Sequence, residues 1–169
     1  MNKIKAALMT GLLCLLAGCV SLPPPMPPEL IYSKTEQSIQ NPAVLIGVKE
    51  DTSFFLADEL CYVENIDGRV VNDRHKNPTD PVFLDPGSHV LGIKFEQGHT
   101  YAHITLPFVA APKGQYTIGH RTVSSFWDPP GHLQLWIQDA STGQEASSTA
   151  VTPISVQQSS PIFIPIMTK

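Results

Sequence analysis

The groups in this 169-residue chain that could do chemistry are six histidines, three cysteines and 15 acidic residues. Imidazole is a common metal ligand, but a site needs three or four ligands that converge. His99 and His103 lie four apart. On a helix they would share a face. The residues around them alternate as a strand does, which sets the two about 13 Å apart, too far for one ion. There is no His-Glu-x-x-His motif and no cysteine pair. Convergence of His103 with His120 or His132 across strands stays open, and His89, after Pro86-Gly87, reads as a packed or turn-bonded residue. A nucleophile elbow of the Gly-x-Ser-x-Gly type is absent. Ser124 and Ser125 are near Asp128 and His132 in sequence, but the members of a triad must meet in space. Asp51 with Asp58, and Glu59 with Glu64, read as acids solvating loops and strand edges rather than a glycosidase pair. The residues therefore assign no catalytic and no metal site. The competing reading is a metal-binding protein or hydrolase using histidines near residues 99–132.

A surface is the better candidate. Trp136 falls on the polar side of an alternating run, between Gln134 and Gln138. Trp127 sits in the Trp-Asp-Pro-Pro-Gly loop before it, and Tyr101 is also expected to point outward. Exposed aromatic rings beside amides suit carbohydrate and protein interfaces, because rings supply area at little entropy cost. The competing reading packs Trp136 beneath the C-terminal tail or against Pro129-Pro130.

These residues are carried by short β-like runs separated by turn residues, beginning at residue 43. Ala43 to Val48 is apolar, Ser53 to Ala57 contains Phe54, Phe55 and Leu56, and Leu60 to Ile66 ends at Asp67-Gly68, a strong hairpin signal. Asn72 to Pro81 reads as a polar loop. Val82 to Leu84 runs into the turn Asp85-Pro86-Gly87. His89, Leu91, Ile93 and Phe95 then form a set that can point inward; Ala102, Ile104, Leu106 and Phe108 form one face of the next strand; Tyr116, Ile118, His120 and Thr122 share a face of another; and Leu133, Leu135 and Ile137 form the inner face of a last clear strand. The pattern predicts an all-β domain over 43–143, an antiparallel β-sandwich or barrel-like fold of six to eight strands. Residues 144–169 read as a polar tail around Ser147, Ser148, Ser159 and Ser160. Ile162 to Ile166 could add an edge strand, where Pro161 and Pro165 are tolerated.

Ahead of this domain the chain changes character. Residues 1–18 have a basic start (Lys3, Lys5), an apolar run from Ala6 to Ala17 and small residues at the end, the organisation of a secretory signal peptide. Leu16-Ala17-Gly18-Cys19 resembles the lipobox of bacterial lipoproteins. That resemblance implies removal of residues 1–18 and lipidation of Cys19, with a diacylglycerol and an N-acyl chain as the only attached groups and no other cofactor. Val20, where an aspartate would signal inner-membrane retention, implies delivery to the outer membrane, facing the periplasm. Residues 20–28 hold five prolines in nine positions, an extended spacer of roughly 25–30 Å at about 3.1 Å per residue. Residues 19–42 thus read as lipid site and tether, with 29–42 either extending it or making one helical turn.

Composition narrows the partners. Loss of Lys3 and Lys5 with the leader takes the net charge from −4 to about −6. That balance counts against nucleic acid and against electrostatic docking on anionic lipid. Membrane contact should come from acyl chains, and an envelope protein or glycan is the expected partner. With Cys14 in the leader and Cys19 lipidated, Cys61 is left alone, either buried or a dimer link, and its strand-like setting favours burial. Ile66-Asp67-Gly68, followed by Leu84-Asp85-Pro86-Gly87-Ser88-His89-Val90-Leu91-Gly92-Ile93, is similar to the hairpin and Leu-x-Pro-Gly-x-His-x-Leu-x-Ile run of PEGA-type β-domains. Gly114-Gln115-Tyr116-Thr117-Ile118 resembles a strand of uncharacterised bacterial lipoproteins. The resemblance implies a non-enzymatic β-domain associated with wall or carbohydrate.

Overall fold

Alternation of apolar and polar residues places one face of each strand in a core, and two such faces bury each other most simply as stacked sheets. The computed structural model describes residues 25–52, 57–125 and 128–157. The strands are β1 (Ala43–Ile46), β2 (Val48–Glu50), β3 (Glu59–Ile66), β4 (Arg69–Val70), β5 (Pro81–Leu84), β6 (Gly87–Gln97), β7 (Thr100–Ala110), β8 (Gln115–Ser125), β9 (Asp128–Asp139), β10 (Ala150–Pro153) and β11 (Ser155–Val156). They build a five-stranded sheet in the order β10-β9-β8-β1-β5 and a second sheet in the order β11-β7-β6-β3-β2, with β4 paired to β3. The two sheets pack together as an all-β sandwich, and among the described residues no closed barrel forms.

The four strand faces read from the alternation meet in this interior. Leu91, Ile93, Phe95, Leu106, Ile118, Leu133, Leu135 and Ile137 are all at most 2 % exposed. Each such side chain contributes roughly 1.5–3 kcal/mol relative to exposure. Thr122 departs from the pattern and is exposed. Three further differences have local causes. The apolar run Ala43 to Val48 is two strands, because the chain crosses from one sheet to the other at Gly47. A side chain there would run into the carbonyl oxygens of Pro78 and Cys61. β1 lies parallel to β8, an exception to the antiparallel rule, while it pairs antiparallel with β5. The strand count is eleven among the described residues, since several are two to four residues long.

At Asp67-Gly68 the expected hairpin forms, with φ of 51° and 77°, the left-handed pair that a two-residue turn between twisted strands needs. Residues 144–157 are docked on the sandwich. The Ile137 N–H donates to the Ser147 hydroxyl at 2.8 Å, and β10 and β11 extend one edge of each sheet. The stretches 53–56 and 162–166, where further strands were expected, lie outside the described residues.

Residues 28–42 are docked rather than extended. Pro28–Leu30 and Glu36–Ser38 are single-turn 3-10 helices. The Tyr32 N–H donates to the Val70 carbonyl at 2.8 Å, its hydroxyl to the Phe83 carbonyl at 2.7 Å, and Lys34 meets Asp85 at 3.2 Å. Tyr32 and Lys34 thus lie at the end of the sandwich that holds the β3–β4 and β5–β6 turns.

Candidate functional site

The polar face of the six-stranded sheet carries an open groove of about 630 Å³. Alternation turns Lys94, Glu96, Tyr101 and His103 outward from β6 and β7, and the loop 71–80 supplies a wall through His75, Lys76 and Pro78. A second hollow of about 410 Å³ continues it past Tyr62 and Glu64, sharing His75, Lys94 and Glu96. Charges in the groove are paired: Lys49 with Asp58 at 3.1 Å and Asp51 at 3.8 Å, Lys94 with Glu96 at 2.6 Å, and His103 with Glu64 at 3.1 Å. The Asp58 carboxylate holds the Lys49 ammonium above its usual range, and burial, then Glu96, pushes the Tyr62 hydroxyl up. Tyr101 presents its ring beside His103 in an edge-on contact at 5.7 Å. Paired charges around an aromatic ring suit a neutral, hydroxyl- or amide-rich ligand better than a strongly charged one.

The other expected surface residues lie on the opposite side of the sandwich. Trp136, half-buried, lies across Gly119 on the outer face of the five-stranded sheet, filling the space a side chain at Gly119 would need. Its packing partner is thus a neighbouring strand of its own sheet. Gln134 accepts two hydrogen bonds from Arg121, at 3.0 and 2.6 Å, and the Gln138 amide donates to the Gly143 carbonyl at 2.8 Å. Both amides are occupied within the fold. Trp127 lies outside the described residues, as does Cys19. Tyr101 and Trp136 therefore do not form one surface, and of the two it is Tyr101 that lines a concavity.

The histidines separate as well. His99 sits exposed in the β6–β7 turn, His103 faces outward from β7, and His132 lies on the outer face of β9. His120 turns inward from β8, its side chain 5 % exposed, against the Phe95 ring at 5.8 Å. Its Nε2 meets Glu59 Oε2 at 3.0 Å, and the Gln97 amide donates to Glu59 Oε1 at 2.9 Å. Glu50, opposite Glu59 in the β2–β3 register, completes a group of three whose ligand atoms all lie within 4.8 Å of one another. Glu59 thus faces the interior and does not merely solvate a strand edge. That His120 shares a face with Tyr116 and Ile118 was legible from alternation. Its two carboxylates were not, since they come from the other sheet, about 60 and 70 residues away in the chain.

His89 is held at the other end of the six-stranded sheet. Nδ1 meets Asp67 Oδ2 at 2.8 Å and Nε2 meets the Asp85 carbonyl at 2.7 Å, while Asp67 Oδ1 accepts the Val90 N–H at 2.8 Å. The motif residues Asp67, Asp85 and His89 thus form one hydrogen-bonded staple. Cys61 is fully buried and free, and burial, then Glu59 and Glu50, pushes its thiol up, so it is neither a dimer link nor a ready nucleophile.

No protein-family model matches this chain, and neither the curated proteins nor the solved structures compared with it include a match. Among the described residues no helix is long and apolar enough to cross a membrane.

Proposed function

We propose that this chain is a lipid-anchored envelope lipoprotein whose β-sandwich works as a non-enzymatic binding module. The observation that carries the reading is the order Leu16-Ala17-Gly18-Cys19, proline spacer, docked sandwich. In it, Cys19 bears the diacylglycerol and N-acyl chain after residues 1–18 are removed, and Val20 sends the product to the outer membrane, on its periplasmic side. Two or more acyl chains hold a protein durably without a spanning helix.

The docked segment gives the anchor a direction. Tyr32 and Lys34 fix the spacer at the end with Asp67, Asp85 and His89. Strands β3 and β6 then run about 30 Å to the far end at Glu59 and Gln97. The stapled end faces the bilayer, and the groove around Tyr101 opens toward the far end, where an envelope protein or a glycan strand can reach it. The paired charges of the groove favour the neutral glycan chemistry among these partners.

Cys19→Ala, or inhibition of the lipoprotein signal peptidase, should leave an uncleaved precursor that fails to reach the outer membrane. Release of soluble mature protein from the wild type would contradict the anchor. Crosslinking in intact envelopes should capture a partner through the Tyr101 groove, and Tyr101→Ala should lose it while leaving the fold intact. A second reading, a periplasmic metal-binding protein or hydrolase, is favoured by one observation only, the inward His120 with its two glutamates.

A further inference from the structure

The interior of the sandwich is apolar along almost its whole length; Glu59 and His120 interrupt it at the end far from the spacer, with the exposed Glu50 at their rim. Two features make this arrangement costly as it stands. Glu50 and Glu59 are directly opposite in an antiparallel pair, where like charges destabilise. Carboxylates drawn from water toward a core also need compensation. One imidazole faces both of them. Lys49, next to Glu50 in sequence, points to the other face and is taken by Asp58 and Asp51. Among the described residues, neither Glu50 nor Glu59 forms an ion pair with a lysine or arginine.

We propose that Glu50, Glu59 and His120 bind a divalent first-row transition cation of the zinc type, which clips the two sheets together at the far end. The donor set argues for that class. An imidazole with two carboxylates suits zinc and its neighbours, whereas calcium and magnesium take oxygen ligands. Glu59 is positioned by the Gln97 amide on its other oxygen, the outer-shell support that metal carboxylates usually have. Phe95 packs beside the imidazole and keeps that side of the site dry. Ligand atoms within 4.8 Å of one another must draw in to about 2.0–2.2 Å from a zinc ion. Glu50 supplies that movement, because it is exposed and lies at the end of a three-residue edge strand. Three protein ligands leave a fourth position for water or for a group on a partner. β2 and β3 belong to one sheet and β8 to the other, so the ion bridges them.

The test uses the full chain in detergent, stripped with chelator and titrated with zinc chloride by calorimetry, with metal content counted after dialysis. It does not depend on the anchor, since lipidated and unlipidated protein carry the same three ligands. One zinc per chain is expected, and saturating zinc should raise Tm. Glu59→Gln and His120→Ala should each weaken binding by more than the roughly tenfold to hundredfold that loss of an outer-shell partner costs, and Gln97→Leu by about tenfold. His120→Ala could loosen the core. Glu50→Gln settles that case, because its side chain is exposed and its loss removes a like charge opposite Glu59: its zinc-free Tm should equal or exceed that of the wild type, and zinc should no longer raise it. His99→Ala and His103→Ala should bind as the wild type does. A wild-type Kd weaker than about 100 μM overturns the site. So does binding that survives both glutamate substitutions, or binding that is lost in His103→Ala.

Discussion

The two ends of the sandwich use the same pair of residue types in opposite ways. At the end where the spacer docks, His89 is 8 % exposed and both its ring nitrogens face oxygens, one from Asp67 and one from the Asp85 backbone. Asp67 is completed in turn by the Val90 N–H. At the far end His120 is equally enclosed, at 5 %, but it meets one glutamate and has a second within reach. One histidine–carboxylate pair closes a network; the other carries a surplus of negative charge. A buried polar network stabilises when every member is satisfied, and a partly balanced one invites a ligand. The difference separates a staple from a site.

The largest expected effect is at the stapled end. His89→Ala should cost about 2–3 kcal/mol in denaturant unfolding, from the lost ring and the two acceptors left behind. Half-exposed Asp67 keeps the figure below that of a fully buried pair. His120→Ala without zinc should cost less, about 1–2 kcal/mol, because Glu59, the partner left behind, keeps the Gln97 amide and some access to water. Equal losses at the two ends would erase the distinction.

Acid sharpens the same contrast. Burial alone would raise the Asp67 carboxyl, but the Val90 N–H, the His89 ring and Arg69 outweigh it and hold the group below the usual aspartate value. A depressed folded value means that stability is present above the unfolded aspartate pKa of about 3.9 and is lost as pH falls through the folded one. Asp67→Asn should therefore lower the plateau near neutral pH and flatten the acid limb of the Tm–pH curve. An unchanged acid limb would remove Asp67 from the staple. The smallest effect belongs to the groove. Tyr101→Ala should change stability by less than about 0.5 kcal/mol, as surface substitutions do, while abolishing partner capture.

Much of the architecture is readable from residue order. The inward sets on β6, β7 and β9, the Asp67-Gly68 turn and the loop after residue 71 follow from alternation and turn chemistry, which are local. What escaped was set by contacts distant in sequence. The break at Gly47 is forced by the Pro78 and Cys61 carbonyls. The parallel β1–β8 pair joins segments about 70 residues apart. The edge strands of 150–156 look like polar tail until β9 and β7 are there to receive them. The candidate surface divided for the same reason: Tyr101 and Trp136 both alternate outward, but alternation does not say from which sheet.

In the proposed function, the anchor at Cys19 sets what the groove and the far end can meet. The most direct measurement is mass spectrometry of the N-terminal peptide of native protein taken from membranes. The account predicts a chain that begins at Cys19 and carries a diacylglycerol and an N-acyl chain. A free thiol at Cys19, or a native chain that retains residues 1–18, would contradict it.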